Sequence, residues 1–331
     1  MVKGENKKGD RESMNWRKVQ LFLLERWVWI IAIVVFISFF GLSITDLIRI
    51  FWMYAGYGVL AIAVGISLLS GSTDASSPAI GGLAAVFVVE FGEIWFPGAP
   101  PILLLLLPLI VGAAVGAVNG LIISRTGVHS FFVTLATFLI FIGGRKLIRE
   151  GTLWIKHSDT LLLPRREIIG GFDFSIAFLL LMVFLAWLLL NHTKIGVRMY
   201  AIGGDATSAR MMGVNVENMR LLVHTLAGMI AGLSGLIYIG DVGATSPEMM
   251  DLWLFWIFAM VIFGGIALGG GRGNIENIIA GMFFIGTLDI GARGLGIPVH
   301  WIHFIIGTLI LIGIIVNSII DKLRDRLLMP S

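Results

Sequence analysis

Residues 174–240 run FSIAFLLLMVFLAWLLLN (174–191), HTKIGVRMYAIGGDATSARMMGVNVE (192–217) and NMRLLVHTLAGMIAGLSGLIYIG (218–240). Two long apolar runs therefore flank a polar, basic segment that contains several glycines. A helix needs about twenty apolar residues to cross a hydrocarbon core of about 30 Å, and both runs come close to that length. The stretch predicts two membrane-spanning helices joined by a segment outside the membrane.

The composition extends this prediction to the whole chain. Of its 331 residues, 57% are hydrophobic and 14% are charged, whereas soluble proteins are about half apolar and about a quarter charged. The mean hydropathy of +0.93 also indicates an integral membrane protein. The net charge of +3 is expected to orient the chain and attract anionic membrane lipid, and it does not point to nucleic acid. The absence of cysteine excludes disulfides and thiolate metal sites.

Ten apolar runs of suitable length predict an all-α, polytopic membrane protein of about ten transmembrane helices. A transmembrane domain, residues 27–320, is expected between an N-terminal segment of residues 1–26 and a tail of residues 321–331. The N-terminal segment is charged for too long to be a cleavable signal peptide. The ten runs are approximately 27–45, 47–69, 79–96, 101–123, 130–149, 174–191, 218–240, 252–269, 276–293 and 301–320.

The distribution of lysine and arginine predicts the orientation. With ten spans and the N-terminus inside, two thirds of the 24 basic residues fall on the inner side. Six of the eight outer basic residues lie in or just before one long loop, residues 150–173, where charge is a weaker topological signal: Arg145, Lys146, Arg149, Lys156, Arg165 and Arg166. Both termini and the polar segment 192–216 are therefore expected to be cytoplasmic.

Two glycine-rich runs suggest pseudo-repeated halves. Gly112–Gly120 (GAAVGAVNG) and Gly264–Gly273 (GGIALGGGRG) each lead through a short basic turn into a span. Small residues at this spacing allow helix backbones to approach closely in lipid. The alternative is chance, because a membrane protein with 42 glycines produces such similarities without a repeat.

The polar segment 192–216 is predicted to carry a short capped helix. The pair Gly203–Gly204 interrupts helical geometry, and Asp205 is placed to cap a helix over Ala206–Met212. Gly213 ends that helix. Such a helix on the membrane face has a shape suited to a groove in another protein. The alternative is an ordinary cytoplasmic loop.

Ionisable residues inside spans are costly and are functional candidates. Asp289 lies four residues before Arg293, which predicts an ion pair within one helix. His224 and His303 stand alone, so hydrogen-bonded helix residues are more plausible than metal ligands, and no metal site or catalytic set is predicted.

Uncharged polar residues in apolar runs are candidates for a solute path. Asn119, Thr134 and Thr137 fit this role, with interhelical hydrogen bonding as the alternative. The aromatic residues of the run WLFW, residues 253–256, can stack on a sugar ring, with lipid contact or helix packing as the alternative.

The run YAIGGDATSARMMGVNV, residues 200–216, resembles the coupling loop of permease subunits of bacterial ATP-binding-cassette importers for ribose and other simple sugars. Three further runs resemble the same family in the same order along the chain. They are STDASSPAIGGLAA (72–85), GAAVGAVNGLIISRTGVHSFFVTLATFLIFIGG (112–144) and VIFGGIALGGGRGNIENIIAGM (261–282).

The resemblance implies a type II importer permease fold in a bacterial cytoplasmic membrane and an ATP-driven importer of a sugar or sugar-like solute. It also implies a second permease chain, identical or paralogous, ATPase subunits that use the ATP, and an extracytoplasmic solute-binding protein. The chain itself is then expected to be no enzyme and to bind no cofactor. Asp74 joins Asn119, Thr134 and Thr137 as substrate-path candidates. The implied ATPase-coupling residues are Gly203, Gly204, Asp205, Ala206, Thr207, Ser208, Ala209, Arg210 and Gly213.

The chain departs from the family pattern at two places. Thr207-Ser208-Ala209 stands where the family usually has Glu-Ala-Ala, so an acidic contact with the ATPase is missing. Ser76-Ser77-Pro78 follows Asp74 where the family has a Ser-Val-Gly type of sequence. Pro78 suits the first turn of a helix that Asp74 or Ser76 can cap.

Two other classes of function are weighed against the importer. An ion-gradient-driven secondary transporter needs buried acids or broken helices at mid-membrane, and Asp289 is the one acid well inside a firmly predicted span. A membrane enzyme or scaffold would show clustered His, Asp or Glu on the membrane face, and the sequence has no such cluster.

Overall fold

A computed structural model of the chain describes residues 26–328. The described residues form thirteen α-helices, a π-helical turn at Phe91–Trp95 and two small antiparallel sheets. The helices are α1 (Arg26–Phe40), α2 (Ile44–Met53), α3 (Ala55–Leu69), α4 (Ser77–Glu90), α5 (Pro101–Thr126), α6 (Ser130–Ile148), α7 (Phe174–His192), α8 (Lys194–Gly204), α9 (Ala206–Met211), α10 (Val216–Val242), α11 (Trp253–Phe263), α12 (Ile275–Gly294) and α13 (Val299–Leu328). The strands are β1 (Leu153–Trp154), β2 (Glu167–Ile169), β3 (Phe172–Asp173) and β4 (Ala244–Thr245), paired as β1 with β4 and β2 with β3.

The predicted all-α membrane architecture is confirmed. Among the described residues, seven helices are long and apolar enough to cross a membrane, and the bent pair α1 and α2 forms an eighth candidate. Two shorter apolar helices, α3 and α11, complete the set. Each of the ten predicted runs overlaps at least one of these helices. The predicted segment of residues 1–26 lies outside the described residues except for Arg26.

The bounds of three predicted runs need correction. The run 47–69 is not one helix, because α2 ends at Met53 and α3 begins at Ala55, and α2 is bent by 117° from α1. The run 252–269 is helical only as α11, since a loop with a left-handed glycine, Gly265, follows it. The apolar part of α13 ends at Ile320 as predicted, but the helix itself continues to Leu328.

The core is built around α3 and α10. Every residue of α3 except Tyr57 is buried, because this helix is apolar on all sides and is surrounded by α4, α7, α10, α11 and α12. The Ser234 hydroxyl of α10 donates a hydrogen bond to the carbonyl oxygen of Gly56 (2.8 Å). Large exposed apolar side chains lie instead on α1, α7 and α13, as expected for helices that face lipid or another membrane chain.

The glycine run of α5 makes the predicted close helix contact. A Cβ atom at Gly112 would collide with the carbonyl of Gly228 in α10, and one at Gly116 would collide with the carbonyl of His224. The second run, Gly264–Gly273, is a loop between α11 and α12, so the two glycine runs occupy different structures. Repetition is visible in the helix packing instead, since α4 packs on α5 and α6 while α11 packs on α12 and α13.

Acidic residues at the end of α4 and in the π-helical turn after it anchor the long loop between α6 and α7. Glu93 accepts hydrogen bonds from the main-chain N–H groups of Lys156 (3.0 Å) and Ser158 (2.9 Å) and from the His157 ring (3.0 Å). Glu90 lies 3.5 Å from the guanidinium group of Arg149. These contacts explain why a span tolerates two carboxylates near its end.

Candidate coupling and translocation sites

The predicted capped helix in the polar segment is confirmed as α9. Asp205 accepts hydrogen bonds from the main-chain N–H groups of Thr207 (3.0 Å) and Ser208 (3.2 Å) and from the Ser208 hydroxyl (2.6 Å). The Ser208 hydroxyl and then these two N–H groups hold the pKa of the Asp205 carboxyl below its ordinary value. The helix ends at Met211, one residue before the predicted end, and Gly213 follows with φ +84°.

Two methionines at the C-terminal end of α9 are largely exposed. Met211 is 78% exposed and Met212 is 73% exposed. Arg210 pairs with Glu217 at the start of α10, with 2.5 Å between the charged atoms. The Asp205 carboxylate and the Ser208 hydroxyl bond to each other at the start of α9. Neither group is therefore free to replace the glutamate that the family pattern has at position 207. The tip of α9 therefore offers two methionine side chains beside an Arg–Glu pair.

The residues before α9 form a helix that the sequence did not predict. This helix, α8, begins after Thr193, whose hydroxyl accepts a hydrogen bond from the Gly196 N–H (3.2 Å). The pair Gly203–Gly204 forms the last two residues of α8, so it ends this helix as a glycine pair can. The predicted coupling loop, residues 192–216, is thus a helix-turn-helix unit between α7 and α10.

Glycine contacts join α8 to two other segments. Gly203 lies directly against the main chain of Leu69 and of Gly271, and Gly270 lies against Gly71. The Gly271 N–H donates to the Leu69 carbonyl oxygen (2.9 Å). The end of α8 therefore touches both the end of α3 and the loop that precedes α12. We name Gly203, Gly71, Gly270 and Gly271 the glycine junction. Sequence analysis missed it, because glycine spacing alone does not show which segments meet.

The four substrate-path candidates lie together. Asp74 accepts hydrogen bonds from the Ser76 N–H (2.8 Å), the Ser76 hydroxyl (2.6 Å) and the Ser77 hydroxyl (2.7 Å). The Asn119 amide donates to the Ser76 hydroxyl (3.0 Å), and the Thr137 hydroxyl donates to the Asn119 carbonyl oxygen (2.6 Å). Ser76 is the N-cap residue of α4, but its side chain does not bond to a helix N–H group as predicted. Asp74 instead holds the turn that leads into the helix.

Thr134 completes this cluster. Its hydroxyl accepts a hydrogen bond from the Ala75 N–H (3.0 Å) and donates to the Ser130 carbonyl oxygen (2.9 Å). The four candidates are all buried where the extended segment 72–76 meets α5 and α6. Their polar groups bond to one another and to the backbone, as the alternative of interhelical hydrogen bonding requires. That they line a solute path stays a prediction.

The predicted ion pair of Asp289 with Arg293 and the predicted hydrogen bond of His224 are present. The Arg293 guanidinium group lies 2.7 Å from the Asp289 carboxylate, which also accepts a hydrogen bond from the Tyr54 hydroxyl (2.7 Å). His224 is hydrogen-bonded to the Ser72 hydroxyl (2.7 Å). His303 is exposed, with its ring edge-on to Trp256 at 6.4 Å between centroids. Among the described residues, no group of three or more His, Cys, Asp or Glu side chains is placed to hold a metal.

Sequence analysis also missed a buried cation. Arg145 is one of the basic residues predicted for the outer side, but its side chain is fully buried in α6. It forms an ion pair with Asp251 and donates to the carbonyl oxygens of Met249 (2.5 Å) and Phe141 (3.2 Å). The position of Arg145 inside an apolar run could have indicated a buried cation. Its partner could not be identified from the sequence, because Asp251 lies 106 residues away.

The family model for the branched-chain amino acid transport system permease component matches residues 47–314. The chain belongs to this family. The match runs from α2 into α13, so it includes the helix-turn-helix unit of α8 and α9, the glycine junction and the buried polar cluster. This permease is therefore a multi-pass membrane protein of a transport system, as the resemblance implied, and the comparison favours that function over a secondary transporter.

Relatives of this permease are themselves import permeases. The fructose import permease protein FrcC of Rhizobium meliloti is 32% identical over 80% of this chain and 75% of its own length. The ribose import permease protein RbsC of Escherichia coli K12 is 26% identical over 87% and 90% of the two chains. The galactose/methyl galactoside import permease protein MglC of Salmonella typhimurium is 27% identical over 88% and 91%. No solved structure matches this permease.

Proposed function

We propose that this permease is the membrane subunit of an ATP-driven importer that carries a monosaccharide or a similar solute into a bacterial cell. The observation that carries the proposal is α9, a capped helix with an exposed methionine tip, attached through the glycine junction to the core helix α3. The sugar class is supported by the relatives, whose names state fructose, ribose and galactose.

In this proposal the energy comes from separate ATPase subunits that dock on α9. ATP binding draws these subunits together and displaces α9 and α8. Gly203 is in direct main-chain contact with Leu69 and Gly271. Because close-packed groups transmit a displacement, the movement of α8 also shifts the end of α3 and the loop before α12. The solute path then opens alternately to each side of the membrane. A second permease chain and an extracytoplasmic solute-binding protein complete the importer.

Reconstitution tests the proposal. The permease is placed in proteoliposomes with its ATPase subunit and its solute-binding protein, and uptake of radiolabelled ribose, fructose, galactose and allose is measured. We expect uptake of at least one sugar that requires ATP on the α9 side and is unaffected by ionophores. Uptake without the ATPase, or uptake abolished by collapse of an ion gradient, would contradict the proposal.

The docking role of α9 has its own test. Met211→Asp and Met212→Asp place a charge on the exposed tip without disturbing the cap. We expect at least tenfold less ATPase to copurify with each variant, because an apolar contact must then bury a charge. Val128→Asp is the matched control, since Val128 is 46% exposed in the turn between α5 and α6 at the same end of the bundle. Equal loss in all three variants would argue against α9 as the docking element.

A further inference from the structure

A cavity of about 330 Å³ opens at the end of the helical bundle opposite α9. It lies where α3, α11 and α13 begin and where α10 and α12 end. Since α10 starts next to α9 and has 27 residues, its far end lies about 40 Å away at 1.5 Å per residue. The volume falls within the range of about 300–1,000 Å³ that is common for small-molecule sites.

Aromatic rings form one wall of this cavity. Tyr57 and Trp253 stack with 3.6 Å between centroids, and Tyr238 meets Trp253 edge-on at 4.9 Å. Trp256 packs 6.2 Å from Tyr57. Trp253 and Trp256 belong to the run WLFW, whose aromatic residues the sequence predicts as candidates for stacking on a sugar ring. The third aromatic residue of that run, Phe255, does not line this cavity and is 59% exposed on α11. Mutual packing holds the rings in place, and such rings combine an apolar face with a polar edge.

Polar groups border the same cavity. Glu248 and Asp251 provide hydrogen-bond acceptors, Arg293 provides donors, and the His303 ring can do either. Arg293 is already paired with Asp289, and Asp251 is paired with Arg145. Glu248 lies 3.6 Å from the ammonium group of Lys146. A lining of paired charges of both signs suits an uncharged molecule with many hydroxyl groups better than it suits an ion.

The backbone beside the cavity is strained and held in place. Met250 has φ +64°, the one non-glycine residue with positive φ among the described residues. Such a conformation is costly and persists only where the surroundings enforce it, which is common at ligand sites. Arg145 holds Met250 in this conformation, because it is buried behind the segment and bonds to both neighbours of Met250, the Met249 carbonyl and the Asp251 carboxylate. The cavity wall is therefore fixed before any ligand arrives.

We propose that this cavity is a low-affinity site for a neutral monosaccharide, where the solute first contacts the permease on the side opposite α9. The proposal rests on the proposed function, because it takes the solute to be a sugar. A rigid aromatic wall matches the apolar C–H face of a sugar ring, and the surrounding polar groups match its hydroxyls. The site gives this chain, and not only its partners, a part in solute selection.

The natural absence of cysteine makes a labelling test direct. Ser246→Cys places one thiol at the cavity, where Ser246 is partly exposed. Thr152→Cys places one on the exposed loop between α6 and β1 as the control. The rate of reaction with a membrane-impermeant maleimide is measured on the reconstituted complex, with ribose, fructose, galactose or allose at millimolar concentration, or with betaine at the same osmolarity.

We expect a sugar that the complex imports to slow labelling of Ser246→Cys at least fivefold and to leave Thr152→Cys unchanged. Betaine should protect neither position. If every imported sugar leaves Ser246→Cys unprotected, or protects both positions equally, the cavity is not a sugar site.

Two small substitutions test whether the site serves transport. Tyr238→Phe removes only a hydroxyl, and His303→Leu removes a ring with two nitrogens. Each is expected to lower the uptake rate at saturating, sugar-loaded binding protein by about tenfold, as loss of a hydrogen bond can. His300→Leu is the matched control, because His300 is an exposed histidine one turn away on α13 that does not line the cavity. His300→Leu should leave both the uptake rate and the sugar-independent ATPase rate unchanged.

The outcomes separate the two proposals. If the unaltered complex imports no sugar, the proposed function fails. If it imports sugar and both Tyr238→Phe and His303→Leu do so at the same rate, the function stands and the cavity site is rejected.

Discussion

Gly203 lies against the main-chain carbonyl of Leu69, so closely that a Cβ atom at Gly203 would collide with the Leu69 oxygen. Its neighbour Gly204 has no heavy atom within 4 Å of the corresponding position. An alanine methyl group would therefore clash at Gly203 and fit freely at Gly204, although the two glycines are adjacent in one helix. This contrast makes the contact between α8 and α3 testable.

Gly203→Ala is expected to weaken both stability and coupling. The added methyl group must push α8 away from α3, at a cost of about 1–3 kcal/mol for an overpacked contact. Gly204→Ala should change stability by less than about 0.5 kcal/mol, as exposed substitutions usually do. The free energy of unfolding in mixed micelles and the ratio of sugar uptake to ATP hydrolysis measure the two effects. Identical behaviour of the two variants would show that the junction transmits nothing.

Asp205→Leu is expected to uncouple uptake from ATP hydrolysis while membrane insertion stays intact. Leucine cannot accept the three hydrogen bonds that begin α9. Asp205→Asn is the control, because asparagine is an equally good N-cap. The uptake-to-hydrolysis ratio and the yield of membrane-inserted protein are the measurements. Normal coupling in Asp205→Leu would mean that α9 does not need its cap.

The same carboxyl predicts a pH dependence. Because the pKa of Asp205 is lowered by folding, the cap contributes stability above the unfolded value of about 3.9 and loses it as the pH falls through the lower folded value. Relative to Asp205→Asn, hydrogen exchange at the Thr207 and Ser208 amides should accelerate only below about pH 4. A change centred near neutral pH would point to another group.

Gly213→Val is expected to destabilise the turn between α9 and α10. Gly213 has φ +84°, and an L-residue in this region costs about 1–2 kcal/mol, with a β-branched residue at the upper end. Gly213→Asn should cost less, since asparagine tolerates this conformation. Copurification of the ATPase with each variant measures the effect on docking. Equal copurification with Gly213→Val and the unaltered chain would contradict the expectation.

Asp251→Asn is expected to destabilise the permease strongly. It leaves the fully buried Arg145 without its counter-ion, and loss of one member of a buried pair costs about 3–5 kcal/mol. Because the Asp251 side chain is 26% exposed, we expect the loss in free energy of unfolding to lie at about 3 kcal/mol, the lower end of that range of about 3–5 kcal/mol. Glu248→Gln breaks the exposed pair with Lys146, which is worth about 0–1 kcal/mol. Detergent titration of both variants gives the comparison, and similar losses would show that Arg145 is not held by Asp251.

Local patterns predicted most of the helices and the cap of α9. A span is recognised by the length of one apolar run, and the Asp205 cap involves residues two and three positions later in the chain. The helix α8 escaped prediction because its polar sequence has no apolar run, although Thr193 at its start was a usable cap signal.

The sequence by itself determined that this chain is a membrane protein of many helices with a capped helix between the sixth and seventh apolar runs. Runs of apolar residues and short-range hydrogen bonds suffice for that, because they act between neighbours in the chain. Only the tertiary structure decided that Gly203 meets Leu69 and Gly271, that Asp74 and Asn119 join one cluster, and which rings surround the cavity. Such contacts depend on how helices that are distant in sequence pack against one another, and a local sequence pattern does not specify that packing.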